Sequence, residues 1–433
     1  MSGIDTAYAF DHNHRPHKAS QPALQAIKNL CTQHGQLQLH HFQLLCRLGC
    51  GDIGKVFLCK IHKSFKPHPN CYFAMKVVDR KSLTLKNKLK RANMEKHVLS
   101  MLDHPFLPTL YANFNAYQYS CLVMDYCPGG DLFTLQQHQS DLHFSISTAK
   151  FFAAEVLLAL EYLHMLGIIY RDLKPENVLI QEDGHIMLSD FDLSLHLEVH
   201  PKILKFGPHY EIVNKRIKKP MLCCRNSDEF VKRGMKKAAI ADSVILLHAS
   251  EGAHGVDMID MSAEPINGRS HSFVGTHEYL APEVILALGH GSAVDWWAFG
   301  VFLYELLFGF TPFKDTSSEK TLNNIIEKPL TFPRRTNTRD RKNHGEIAKA
   351  QDLIRKLLVK NPIKRMGYNM GSCEIKKHEF FEGVNWALIR SIKAPFIPRT
   401  RTLLEKQTSF TTMPKLGSKD KATMQGPHQF DFF

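Results

Sequence analysis

Apolar positions alternate or run continuously in short stretches through the first third of the chain and recur at helical spacing after it. Phe42-Gln43-Leu44-Leu45-Cys46-Arg47-Leu48 alternates as a strand does, and Phe57-Leu58-Cys59 resumes a strand after a glycine-rich break. Tyr72-Phe73-Ala74-Met75-Lys76-Val77-Val78 predicts a further strand interrupted by one lysine, and 87–102 predicts a helix. Ser120-Cys121-Leu122-Val123-Met124 is an apolar strand that runs into the turn Pro128-Gly129-Gly130. Between Phe144 and Leu166, Phe151, Phe152, Val156, Leu157, Leu160 and Leu163 return at helical spacing, which predicts one long helix. Val294 through Phe308 is apolar almost throughout, as in a helix buried on every side.

Polar residues interrupt these runs in patterns that suggest chemistry. Gly49-Cys50-Gly51-Asp52-Ile53-Gly54-Lys55-Val56 fits G-x-G-x-x-G-x-V between two strands, whereas a dinucleotide fingerprint stands between a strand and a helix. Its glycines let backbone amides approach phosphate oxygens. A lysine in an apolar strand is costly unless its amine is paired, and Glu95, nineteen residues beyond Lys76, is the expected partner. The stretch Ile169-Tyr170-Arg171-Asp172-Leu173-Lys174-Pro175-Glu176-Asn177 is followed, thirteen residues on, by Asp190-Phe191-Asp192. Apolar anchors flank it (Ile168-Ile169, Val178-Leu179-Ile180, Ile186-Met187-Leu188), as expected of a rigid loop that brings Asp172, Lys174, Asn177 and Asp190 to one point.

Taken with Ala281-Pro282-Glu283, these motifs resemble a protein kinase across 42–381. Tyr170, Asp295-Trp296-Trp297, Lys364-Arg365-Met366-Gly367 and the terminal F-x-x-F are similar to the AGC class. Asp190-Phe191-Asp192, a long insertion and Ser270-His271-Ser272-Phe273-Val274-Gly275-Thr276 resemble the plant AGC VIII, PINOID-like group.

The resemblance implies an α+β, bilobal fold. Its β-rich N-lobe would span 42–126 and its helical C-lobe 127–381, with a flexible arm over 1–41 and an AGC tail over 382–433. It implies an ATP-dependent serine/threonine kinase whose nucleotide contacts are Leu48 through Val56, Lys76 held by Glu95, Met124, the backbone of Asp125 and Cys127, and Asp131. Asp172 would orient the substrate hydroxyl, Lys174 would neutralise the γ-phosphoryl group, and Asn177 and Asp190 would hold Mg²⁺. Asp295 would cap the catalytic loop, and Arg365 would pair with Glu283. Asp131, Glu176, Glu278 and Glu305 match positions that favour basic residues ahead of the target Ser/Thr. Ser272 is the implied regulatory phosphosite, and Phe430 and Phe433 would dock a phosphoinositide-dependent kinase. Asp192 departs from the usual D-F-G glycine, which puts rapid switching of Phe191 in doubt. Service in auxin transport or growth polarity is carried with the group.

Charge changes the picture in one place. The chain carries +13 overall, which suggests an acidic partner. Asp190 and Glu283 stand 93 positions apart, against about 20–30 in the motif layout of such enzymes, so a basic loop over about 197–268 is inserted. Between Pro201 and Ile240, eleven Lys/Arg face three Asp/Glu. That run reads as a surface for anionic lipids at about 1 kcal/mol per basic residue, as a solvated loop, or as a nuclear address. Its Lys/Arg clusters, 215–219 and 232–237, hold no interleaved aromatic residue that would stack nucleic-acid bases, and no nucleic acid is expected. The His-rich run 11–17 reads as a solvated tail or a metal binder. No apolar run reaches 18 residues, the N-terminus shows no signal sequence, and ten scattered cysteines suit reduced thiols. A cytoplasmic protein follows, peripheral at the plasma membrane or in the nucleus according to what the basic run does. The competing reading is a catalytically silent scaffold, which the presence of every catalytic group disfavours.

Overall fold

The computed structural model describes residues 17, 21–65, 71–199, 202–206, 258–262, 264–265, 270–333 and 344–398. Helix α1 (Pro22–His34) comes first, and strands β1 (Phe42–Cys50), β2 (Lys55–Ile61) and β3 (Phe73–Asp79) follow it. After α2 (Arg80–Leu85) and α3 (Leu89–Met101), β4 (Leu110–Ala116) and β5 (Tyr119–Asp125) complete an antiparallel sheet of order β1-β2-β3-β5-β4. β3 is central, so its alternation sorts two faces. Phe73, Met75 and Val77 pack with Phe42, Phe57, Tyr111 and Phe114, which turns Lys76 toward the other face.

The expected flexible arm over 1–41 is corrected by α1 over its second half, while 1–16 and 18–20 lie outside the described residues. Leu24, Ala26, Ile27 and Leu30 are buried in the same cluster as Phe42 and Phe73, and Tyr111 donates its hydroxyl to Gln21 Oε1 at 2.8 Å. Burying a large aliphatic side chain contributes about 1.5–3 kcal/mol, so Leu24, Ile27 and Leu30 hold α1 against the sheet.

The helical lobe begins with α4 (Leu132–Gln137) and the long α5 (Ile146–Met165), whose N-cap Ser145 accepts from the Thr148 amide. Two short ladders follow it. β6 (Ile168–Ile169) pairs with β9 (Leu195–His196), and β7 (Val178–Ile180) pairs with β8 (Ile186–Leu188). The polar loop 170–177 is therefore clamped between β6 and β7, and Asp190 stands two residues past the end of β8.

The two ends of the insertion also pair, β10 (Lys202–Phe206) with β11 (Met258–Ser262). Most of its basic run lies outside the described residues. Beyond it come α6 (Pro282–Ile285), α7 (Ala293–Phe308), α8 (Ser318–Glu327), α9 (His344–Leu357) and α10 (Ser372–Lys376). Every residue of α7 is buried, so it serves as the core post of the lobe. Among the described residues, no helix is long and apolar enough to cross a membrane.

Candidate active site

Lys76 is 7% exposed at its side chain, and its Nζ stands 2.5 Å from Glu95 Oε1 and 3.1 Å from Asp190 Oδ1. Burial alone would depress this ammonium. Glu95 and Asp190 outweigh it and hold the pKa above its ordinary value, so Lys76 stays charged although buried. Glu95 Oε2 is buried without a hydrogen-bond partner. Asp190 has a φ of 55°, a left-handed conformation that turns its carboxylate back toward β3. The side chain remains 37% exposed, open to an incoming group.

The catalytic loop is held from below by one carboxylate. Asp295, fully buried at the start of α7, accepts from the Tyr170 amide through Oδ2 and the Arg171 amide through Oδ1, each at 2.8 Å. Arg171 takes a φ of 67°, which reverses the chain. Asp172 then meets Lys174 Nζ at 2.9 Å, Asn177 Nδ2 at 2.8 Å and Thr276 Oγ1 at 3.1 Å. Lys174 also donates to Thr276 at 2.8 Å. A carboxylate with an ammonium at its side and a metal-type amide one turn away can receive a hydroxyl proton beside a phosphoryl group.

Six of the expected site residues fall into two networks here: Lys76 with Glu95 and Asp190, and Asp172 with Lys174 and Asn177. Gly49 and Cys50 pair with Val56 and Lys55 across the hairpin, and the Gly51 amide donates to Gly54 O at 2.9 Å to close its tip. Leu48 is exposed, and Ile53 packs on Val78 and Leu83. Met124 borders the main core, Cys127 is buried, and Asp125, paired with Phe73 at the end of β5, places its side chain on Thr109 N and Tyr111 OH.

Two expected side chains turn elsewhere. Asp131 caps α4, accepting from Thr134 N at 2.7 Å, and Asp52 faces α3 instead of the cleft. Asp192 is not among the residues of positive φ, so replacing glycine imposes no backbone strain, and Phe191 is fully buried against Tyr170. Ser272 accepts from Arg171 Nη1 at 2.8 Å, and Ser270 from the same nitrogen at 3.1 Å. Phe430 and Phe433 lie outside the described residues.

Sequence reasoning missed Thr276, Arg91 and the pair His164–Glu264. A signal existed for His164, an ionisable residue in the apolar stripe of a helix. None existed for Glu264, 100 residues away. His164 is fully buried between Asp295 Oδ2 at 2.8 Å and Glu264 Oε2 at 3.0 Å, which ties the end of the insertion to the carboxylate beneath the catalytic loop. Burial would lower its pKa, but Glu264 and Asp295 push it up to about 10 from 6.5. The folded chain thus keeps a proton that the unfolded chain releases. This contribution to stability is full below about pH 6.5 and is lost as pH rises toward 10. The melting temperature therefore falls more steeply between pH 7 and pH 8.5 in the wild type than in His164→Gln. Parallel curves would show that the imidazole is not charged.

The donors suit a divalent ion of the Mg²⁺ type. Asp190 and Asn177 offer hard oxygens, and Mg²⁺ is commonly held by one or two protein oxygens plus substrate phosphates. Among the described residues, no group of three His, Cys, Asp or Glu could hold an ion alone.

Residues 42–211 and 245–381 match the family model described as the protein kinase domain. Protein kinase PINOID 2 of Oryza sativa subsp. japonica is 46% identical over 451 residues, covering 97% of this chain and 90% of that protein. Protein kinase PINOID 2 of Arabidopsis thaliana is 49% identical over 432 residues, covering 90% of this chain and 82% of the relative. Serine/threonine-protein kinase AGC1-5 of Arabidopsis thaliana is 48% identical over 390 residues, covering 89% and 64%.

Proposed function

This chain belongs to the protein kinase family, as a serine/threonine kinase of the plant AGC VIII group, and on that footing we propose how its residues divide the work. ATP lies under the hairpin 48–56, and Lys76, held by Glu95, grips its α/β-phosphates. Asn177 and Asp190 hold Mg²⁺, which when bound offsets phosphate charge. Asp172 orients the Ser/Thr hydroxyl and takes its proton, while Lys174 offsets charge at the γ-phosphoryl group and Thr276 keeps both in place. Catalysis is then positioning plus charge stabilisation. The observation that carries this reading is the convergence of positions 76, 95 and 190 on one ion-pair network, with 172, 174 and 177 on a second that Asp295 supports.

Substrates with basic residues ahead of the target suit the acidic wall opposite. Glu305 is pushed up to about 7 by burial first, then by Glu176 and Glu278 nearby. An arriving guanidinium would relieve that crowding. Phosphorylation of Ser272 would strengthen its bond to Arg171, and the terminal F-x-x-F would recruit the phosphoinositide-dependent kinase that performs it. The basic insertion would hold the enzyme on anionic lipid at the cytoplasmic face of the plasma membrane, in the service of polar auxin transport.

One assay with three arms tests this. Purified protein with ATP and Mg²⁺ should phosphorylate a serine peptide carrying upstream arginines, and transfer indifferent to Mg²⁺ would overturn the core of the reading. Deleting 430–433 should abolish Ser272 phosphorylation by the upstream kinase. Vesicles of anionic lipid should pellet the full chain but not one lacking 207–257. Equal pelleting of both, or of neither, would remove the insertion's role at the membrane, and nuclear accumulation driven by the same segment would replace it.

A further inference from the structure

Arg91 precedes Glu95 by four residues on α3, so both side chains leave the same face of the helix. Glu95 takes Lys76, and Arg91 takes two carboxylates. Its Nη1 stands 2.6 Å from Asp52 Oδ2 and its Nη2 2.5 Å from Asp192 Oδ2. Asp52 belongs to the tip of the hairpin above the phosphate site, and Asp192 follows the metal-type carboxylate Asp190 by two positions. Lys88 donates to the other oxygen of Asp52. One guanidinium thus joins three elements that border the cleft. A glycine at 192 would leave one arm of that fork empty.

We propose that Arg91 is a positioning residue for the nucleotide, and that Asp192 and Asp52 are its two anchors. The proposal rests on the reading of the cleft as an ATP site. Asp192 is 5% exposed at its side chain, Arg91 30% and Asp52 49%. The Asp192 arm is the strong one, because a buried carboxylate without its cation is costly. The Asp52 arm is wet and adds little stability alone, but it sets where the hairpin tip rests. It also neutralises and turns away a negative charge that would otherwise stand among amides meant for phosphates. Ile53 packs on Val78 and Leu83 next to it, so the tip is held by one apolar contact and by two ionic ones, from Arg91 and Lys88. The planar fork matters: a lysine at 91 is a point charge that serves one carboxylate at a time.

The test is ATP kinetics of the full chain with Mg²⁺ and a serine peptide, beside direct binding of a fluorescent ATP analogue. Arg91→Ala and Asp192→Asn should each weaken ATP, in KM and in analogue affinity, by about fivefold to tenfold, as charged contacts in one network do. They should lower kcat at saturating ATP by less. The double variant should be no worse than Arg91→Ala alone, since both break the same bridge. Asp192→Gly should behave as Asp192→Asn, and Arg91→Lys should recover part of the loss. Asp52→Asn changes an exposed residue that the fold tolerates, and it should weaken analogue binding by itself. Unchanged affinity in Arg91→Ala, or losses that multiply in the double variant, would overturn the bridge. Absence of transfer by the wild type would overturn the kinase reading instead, and analogue binding would still report on Arg91.

Discussion

Asp172→Asn should phosphorylate a serine peptide about a hundred- to ten-thousand-fold more slowly than the wild type, with ATP binding little altered. The size follows from what a positioned base contributes to proton transfer. Asparagine keeps the shape of the side chain, so Lys174 and Asn177, which meet Oδ2 at 2.9 and 2.8 Å, retain an oxygen, while Thr276, which donates to Oδ1 at 3.1 Å, would instead face the new amide nitrogen. It loses the proton acceptor and the negative charge that orients the hydroxyl. In the proposed division of work ATP affinity is set by Lys76 and the hairpin, so the loss should fall on kcat. Single-turnover transfer and analogue binding on one preparation separate the two quantities. A variant that transfers within threefold of wild type would show that Asp172 is not the base and would reopen the scaffold reading.

The second large effect is on stability. Arg365, fully buried at its side chain, meets Glu283 through two bonds of 2.6 and 2.8 Å. It also donates to Ala293 O at 2.7 Å and Val359 O at 3.0 Å, and its guanidinium lies 5.2 Å from the Trp297 ring. Glu283→Ala leaves that guanidinium in the core with no counter-charge. Breaking a buried pair from one side costs about 3–5 kcal/mol, a fall in melting temperature of roughly 10 °C. The cost lies in the stranded charge more than in the lost bond. Removing both partners, as Glu283→Leu with Arg365→Leu, should therefore recover part of the loss. If the double variant melts lower than either single one, the pair is stabilising in itself and the account is wrong.

Much of this site was legible in the chain because each part is a short motif whose chemistry demands fixed neighbours. Lys76 in an apolar strand needs a carboxylate, and Asp172 and Asn177 sit between apolar anchors that can only be short strands. Asp295 and Arg365 were legible for a related reason, as charged groups set in sequences too apolar to leave them in water. The amphipathic stripe Leu24, Ile27, Leu30 was also present but was passed over, since a helix outside the motifs has no chemistry to announce it. Asp52 and Asp131 were assigned to the nucleotide by position in a motif, yet their carboxylates found nearer partners in α3 and in the α4 amides. A side chain goes to the strongest donor within reach, and reach is a property of the folded chain.

Local order determined the strands, the glycine hairpin and the polar loop with its candidate catalytic groups, because periodicity and spacing act over a few residues. Only the tertiary structure decided which distant charges meet. Arg91 with Asp192, His164 with Glu264 and Thr276 with Asp172 are each about 100 positions apart. Such pairs leave no periodic trace in the chain. Burial strips the water from these groups, and the packing of the two lobes then selects which opposite charge is close enough to replace it.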